Sequence, residues 1–422
     1  MAPKTTSRSP HTDTVDTLLA DIAIRVQLNR TDYTKAVSRY QTINDWIERE
    51  GSPLNGHITL FYPQGSMAIG TTIASKLKTD EFDIDVVAQL DPALKVLSPR
   101  DNLDLLYEAI RGKPGSQYHQ MTQRRTRCVT VNYSDNMHLD VTPTLRMPNT
   151  PERESCIFHH KPGVSQEQGG QFIIANPYGF AEWFKRKTPP ETDFADFFEK
   201  RAKEYERHAI LAEADSDPVP PQEQPLEKSK AVIVLQLMKR WRNVQYDMRT
   251  GRRPPSIMIA KLVADAANHT DSLSEQLLSQ AESMLSIFRQ SHDQGRRVHI
   301  VNPVCAADVL TDRWPGSSDD QKQFIRDLEV FVQRVKRLVA GTDLEEMKKI
   351  MVELFGEVPA KESFKAFNER TGDTIASGRS QYDPYKGGLI IPGSLAVAGI
   401  TAPSITRATP KHTFYGTERR KQ

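Results

Sequence analysis

Three short segments constrain this chain more than any others: Gln64-Gly65-Ser66, Asp83-Ile84-Asp85 and His138-Leu139-Asp140. Residues i and i+2 of a strand point to one side, so Asp83 and Asp85 share a face while Ile84 and Val86 take the other. The run Asp83–Ala88 is polar where it begins and apolar where it continues, which reads as a strand entering a core. Cys128–Tyr133 and Met137–Thr142 are two further β-rich runs, joined by the turn residues Ser134-Asp135-Asn136. On the second run His138, Asp140 and Thr142 share one face, and Leu139 and Val141 share the other. An Asp directed away from the apolar face of a central strand needs a partner, and a metal ion suits it.

A lone Asp-x-Asp is a weak signal, because many strands end in solvated aspartates; its surroundings strengthen it. Phe61-Tyr62 read as a strand leading into the Gly-Ser turn, and Met67 to Thr72 as the start of a short helix with free N–H groups facing a phosphate. Two carboxylates about 6–7 Å apart on one strand, with a third beside them, suit two hard cations about 4 Å apart. Together with a turn that can hold a triphosphate, this is an apparatus for in-line attack of a hydroxyl on a nucleotide phosphate.

At 422 residues the chain calls for two lobes rather than one core. A net charge of +2 with 26% charged residues excludes a strong general nucleic-acid binder, so basic character must act locally. The clusters Arg124-Arg125-Thr126-Arg127, Arg249–Arg253 and Arg296-Arg297 fit either solvated surface or contacts to triphosphate or strand. Cys128, Cys156 and Cys305 lack zinc-site or disulfide-framework spacing, and His159-His160 near Cys156 reads as loop. There is no apolar run of membrane-spanning length and no apolar signal core, so no membrane partner is expected and the location expected is cytoplasmic.

The fold class expected is α+β: a nucleotidyl-transfer core of alternating strands and helices, a long N-terminal helix and a C-terminal helical lobe. Residues 1–12 read as a disordered N-terminus, 13–165 as the N-terminal helix plus core, 170–365 as the helical lobe and 366–422 as an extended tail. Apolar residues recur at helical spacing between about Thr14 and Glu50, as one long or broken helix. Residues 151–170 read as loop, and 215–225 as a proline-rich acidic linker. Asn176-Pro177 opens a helix to about Lys187, with Asn as cap and Pro at the first position. Residues 193–213 form an amphipathic helix, and 227–246, apolar nearly all round, a buried one. Helices follow at 256–268, 271–291, 319–340 and 343–355.

The chain resembles the bacterial cGAS/DncV-like nucleotidyltransferases (CD-NTases) of CBASS anti-phage defence. The resemblance rests on Gln64–Thr71, Phe82–Asp85, Leu139–Val141, Asn176–Phe180 with Trp183-Phe184, and Leu237–Trp241, and spans about residues 14–365. It implies a polymerase-β-like core and a cyclic oligonucleotide synthase, joining nucleoside triphosphates into a cyclic di- or trinucleotide second messenger with release of pyrophosphate. It implies that Asp83, Asp85 and Asp140 are the catalytic and metal-binding residues, holding two Mg2+ ions for which Mn2+ can substitute. Gln64, Gly65 and Ser66 become nucleotide-binding, and Lys239 and Ser256 match positions that touch the triphosphate in the relatives. Lys239 also fits a lysine snorkelling from a buried helix, and Ser256, after Pro254-Pro255, a plain helix cap. The implied partners are ATP, a second nucleoside triphosphate and an operon-encoded regulator. The rival readings are a linear oligoadenylate or tailing-type nucleotidyltransferase and a non-catalytic nucleotide-binding regulator of the same fold.

Overall fold

The computed structural model describes residues 10–74, 82–165, 169–212, 228–268, 272–377, 381–383, 388–390 and 407–408. The linker read at 215–225 lies outside them, as does most of the tail.

The apolar periodicity between Thr14 and Glu50 is a broken helix: α1 (Pro10–Val26) and α2 (Arg30–Ile47). Residues 10–12, read as part of a disordered end, are the first turn of α1. Asn29 caps α2 by accepting from the Asp32 N–H at 2.8 Å, so a polar residue at the junction starts the second helix afresh. The two helices then part company. Ile43 and Ile47 of α2 are buried with the sheet, whereas Leu18, Leu19 and Ile22 of α1 are buried among the C-terminal helices. Two buried carboxylates hold α1 there. Asp16 accepts from the backbone N–H groups of Leu273 and Ser274, both at 2.8 Å. Asp21 accepts two bonds from Arg201, at 2.8 and 2.6 Å, and one from Arg370 at 2.5 Å. The first helix therefore belongs to the helical lobe and not, as its sequence position suggested, to the sheet.

Next come β1 (Ile58–Pro63), the single turn α3 (Gly65–Ala68), β2 (Phe82–Leu90), α4 (Pro99–Arg111), β3 (Thr122–Arg124), β4 (Val129–Asn132) and β5 (Met137–Arg146). β6 (Ser155–His159) and β7 (Gln171–Ala175) complete one mixed sheet in the order β1-β2-β5-β4-β3, with β6 between β5 and β7. β5 is the spine: it pairs with β4 over His138–Val141, with β6 over Thr144–Arg146, and with β2 in parallel over Met137–Leu145. Ile84, Val86, Leu139 and Val141 turn to the core, where Leu103, Leu106 and Ile110 of α4 cover them. Ser98 caps α4 and Pro99 opens it. The span 151–170, read as loop, contains β6; its Phe158 is fully buried and packs edge-on against Phe172 at 5.7 Å.

The helical lobe holds α5 (Pro177–Lys187), α6 (Thr192–Ala212), α7 (Lys230–Tyr246), α8 (Ser256–Asp265) and α9 (Leu273–Asp293). The hairpin β8 (Val301–Asn302) and β9 (Cys305–Val309) follows, then α10 (Ser318–Ala340), α11 (Leu344–Phe355) and α12 (Glu357–Ala376). α12 corrects the tail boundary placed at 366: it runs on to Ala376, with Thr374 buried and Arg370 tied to Asp21. Packing outweighs the low helix propensity of Gly372. At the centre, Trp241 of α7 lies 4.7 Å from Phe331 and 5.9 Å from Phe324, ring centre to ring centre. Short strands β10 (Gln381–Asp383), β11 (Gly388–Ile390) and β12 (Arg407–Ala408) form a small separate sheet.

Candidate active site

The parallel register of β2 and β5 sets Asp83 beside His138 and Asp85 directly beside Asp140. Since all these positions share one side of the pleat, the three carboxylates stand on one face. Asp83 is on the exposed rim; Asp85 and Asp140 are half-buried. Burial, reinforced by Asp140 and Asp83, pushes the Asp85 carboxyl up to about 7, against a weaker pull from Lys239. Such a group is relieved by a cation, and an all-oxygen donor set suits hard divalent ions. Among the described residues no three Asp, Glu, His or Cys side chains are already drawn round one metal position.

The Gly-Ser turn abuts this face. Gln64 N–H donates to the Asp85 carbonyl at 2.9 Å, and Gln64 Nε2 donates to Thr142 Oγ1 at 3.0 Å. The Gln64 side chain thus ties the turn to β5. Gly65 has φ +56°, and a Cβ there would lie 2.7 Å from Asp85 Oδ2. No other residue type fits so close to the carboxylate without displacing it. Ser66 Oγ accepts from Thr72 Oγ1 at 3.3 Å, and its carbonyl accepts from Thr71 N–H at 2.9 Å. The chain from Gly70 to Ala74 forms the back wall behind the serine.

Two buried cations of the helical lobe, Lys239 and Arg242, interact with the carboxylates, and a third, Lys228, stands near Lys239. Lys228 Nζ donates to the Gly70 carbonyl at 2.6 Å, and Lys239 Nζ to the Thr71 carbonyl at 2.7 Å. Arg242 donates to the Pro254 carbonyl at 2.9 Å and to Ser256 Oγ at 2.7 Å. Its other nitrogens meet Asn243 Oδ1, at 3.2 and 2.7 Å. All these acceptors are neutral oxygens. Burial drags all three cations below their ordinary range: Lys228 to about 8, Lys239 to about 7 with Arg242 adding repulsion, and Arg242 to about 9 with Arg253 adding it. Buried, crowded positive charge bonded to neutral oxygens is what a polyanion would stabilise.

Lys239 is 5% exposed, so it does not snorkel to water. Pro255 occupies the cap position of α8, so Ser256 is its first residue and not its cap. The structure brings Gln64, Gly65, Ser66, Asp83, Asp85, Asp140 and Lys239 around one cleft, with Ser256 held beside Arg242. Sequence reading missed Lys228, Arg242 and Thr130, whose hydroxyl donates to Asp140 Oδ1 at 2.5 Å. Arg242 was within reach: three residues beyond Lys239, it lies on the same helix face. Lys228 gave no such signal. His159 and His160 bond to Arg127 and Arg124. No helix among the described residues is long and apolar enough to cross a membrane.

The family model described as the Second Messenger Oligonucleotide or Dinucleotide Synthetase domain matches residues 14–187. The chain is 35% identical over 412 residues to the cyclic dinucleotide synthase CdnG of Bradyrhizobium diazoefficiens, covering 97% of this chain and 96% of that protein. It is 25% identical over 408 residues to the c-di-GMP synthase of Roseivirga ehrenbergii, covering 94% and 96%. The structure of the Bradyrhizobium CD-NTase CdnG in complex with GTP superposes with a TM-score of 0.72 at 34% identity, over 84% of this chain and 99% of that one. Escherichia coli CdnC with ATP shares the fold, with a TM-score of 0.53 at 17% identity over 81% and 98%. A relative this similar over nearly the whole of both proteins, together with carboxylates and cations gathered at one cleft, leaves a single assignment: the chain belongs to the CD-NTase family of second messenger oligonucleotide and dinucleotide synthetases.

Proposed function

We propose that this chain joins two nucleoside triphosphates, at least one of them GTP, into a cyclic dinucleotide with release of two pyrophosphates. The observation that carries the reading is the register of Asp85 against Asp140, set opposite the buried cations of α7. The relatives' names supply the ring size and the guanine.

In this reading Asp83, Asp85 and Asp140 hold divalent cations, Mg2+ or Mn2+. When bound, such ions neutralise the triphosphate and lower the pKa of a ribose hydroxyl. The chain's own groups do the rest. Ser66 and Lys239 hold the terminal phosphates, with Lys228 fixing the wall behind them. Ser256, whose oxygen already accepts from Arg242, has its own proton to give to a phosphate oxygen. The hydroxyl gives up its proton to solvent as its oxygen bonds to the α-phosphorus, the bond to pyrophosphate breaks, and the cationic wall stabilises the departing charge. The second step repeats this within the linear intermediate, its free hydroxyl attacking its own 5′ triphosphate. The basic residues fall in short clusters along the sequence, which supports such closure over chain extension.

Incubation with ATP, GTP, CTP and UTP plus Mg2+ or Mn2+, then phosphatase treatment and mass analysis, tests this. The expected product is a guanine-containing cyclic dinucleotide whose mass phosphatase leaves unchanged. A ladder of phosphatase-sensitive linear oligomers would overturn the proposal and promote a tailing polymerase.

Lys239 provides a second check. Lys239→Met removes a charge-assisted phosphate contact of about 1.5–3 kcal/mol, so the KM for nucleotide should rise about 10- to 100-fold. Stability should move the other way. The folded pKa is depressed, so the penalty for the buried charge is full below about 7 and fades as pH rises toward the ordinary lysine value of 10.5. The variant should therefore match or exceed the parent in Tm at pH 6–7, with its advantage fading at higher pH. A variant that unfolds while its folded fraction keeps the parental KM would rule out the phosphate role.

A further inference from the structure

We infer that Thr130 is a positioning residue for Asp140, completing a relay Arg125–Thr130–Asp140 that sets the angle of the third carboxylate. The inference rests on the metal-binding role proposed above for Asp140.

Thr130 lies on β4 directly across from Asp140 in the antiparallel register. It is 4% exposed, and its hydroxyl donates to Asp140 Oδ1 at 2.5 Å. A hydroxyl has one proton but two lone pairs. Here Arg125 Nε donates to Thr130 Oγ1 at 3.4 Å, so the oxygen is engaged as an acceptor and its single proton is left for the carboxylate. The Cys128 thiol is hydrogen-bonded to both Thr130 and Asp140; burial, then Asp140 and Asp85, push it up, so it stays neutral and is a weaker second partner of the carboxylate.

The physical need is plain. Asp85 and Asp140 stand side by side in the register with Asp83 on the same face, so like charge crowds the three. Repulsion of this kind favours rotation of a carboxylate away from its neighbours, and a hydrogen bond to one oxygen opposes it. Thr130 holds Oδ1 from the side away from β2 and keeps Asp140 on the shared face. Being β-branched, it has few χ1 rotamers of its own, so the anchor is stiff. Groups that orient metal-holding side chains in this way typically contribute 10- to 100-fold in affinity or activity.

The test compares Thr130→Val, which keeps the shape and loses the hydroxyl, with Thr130→Ser, which keeps the hydroxyl. Full-length protein is assayed for kcat and KM, for Mn2+ affinity by electron paramagnetic resonance without nucleotide, and for Tm. Thr130→Val should lower kcat and weaken Mn2+ binding about 10- to 100-fold with KM for nucleotide within about threefold, and Thr130→Ser should restore both. A Thr130→Val protein with parental kcat and Mn2+ affinity overturns the inference. So does a Thr130→Ser protein as impaired as Thr130→Val, which would assign the effect to packing. Asp140→Asn separates the two levels: if it too keeps full activity, the role of Asp140 fails; if it is inactive while Thr130→Val is normal, only the relay fails.

Discussion

Asp83→Asn combined with Asp85→Asn yields no detectable cyclic product while the protein stays folded. Both side chains keep their shape as amides and lose the charge that a divalent cation needs. The loss of transition-state stabilisation is several kcal/mol, and each 1.36 kcal/mol is a factor of ten in rate. Stability moves in the opposite direction. The folded Asp85 carboxyl lies at about 7, far above its ordinary 3.8, because it is buried beside Asp140 and Asp83. An acid whose folded pKa is raised weakens the fold as pH climbs through that interval, fully above about 7 and not at all below about 3.8. Asp85→Asn should therefore unfold at or above the parental Tm at pH 8 and show no such gain at pH 4. Product formation by the double variant near the parental rate would sink the metal assignment; a large fall in Tm at pH 8 would mean that the carboxylates hold the fold.

Gly65→Ala is the second large effect. The added methyl meets Asp85 Oδ2 at 2.7 Å, and the backbone is left-handed at φ +56°. Left-handed backbone alone costs an L-residue about 1–2 kcal/mol, which lowers Tm without touching chemistry. The clash is different in kind, because the only way to relieve it is to move Asp85 or the turn that carries Ser66. A displacement of about 1 Å at a reacting centre costs on the order of 100-fold in rate. Gly56→Ala supplies the control: φ is +71° there and a Cβ meets nothing within 4 Å. Both variants should lose similar stability, and only Gly65→Ala should lose kcat. Equal kcat in the two would show that crowding against Asp85 has no role.

How much of this could be read from residue order depended on whether local chemistry or tertiary packing decided each point. The alternation of Asp83, Asp85 and Asp140 with apolar neighbours marked both strands, because a side-chain period of two has little room for error. Even the Thr130–Asp140 pairing was implicit. A turn centred on Asp135 places residues equally far on either side opposite each other, and 130 and 140 are such a pair. The parallel pairing of β2 with β5 was another matter, since nothing local announces which strand lies across a long crossover. The tail boundary failed because Gly372 and the polar residues around it look like coil. The Arg370–Asp21 bond, the packing of Phe367 and the burial of Thr374 explain a helix there. β6 was hidden by the prolines and glycines that flank a run of only five residues.

Because α1 buries Leu18, Leu19 and Ile22 among helices that begin after residue 176, a cut at the end of the matched 14–187 segment would strand its own first helix. The bridge from Gln27 to Ile73 links that helix's end to the wall behind Ser66, so the damage would reach the cleft. Exchange of parts between relatives must therefore follow the packing and not the order of residues. A chimera that keeps 10–26 with 177–376 from one parent and 30–175 from another preserves both cores. One joined at 187 keeps the sheet core and divides the helical one.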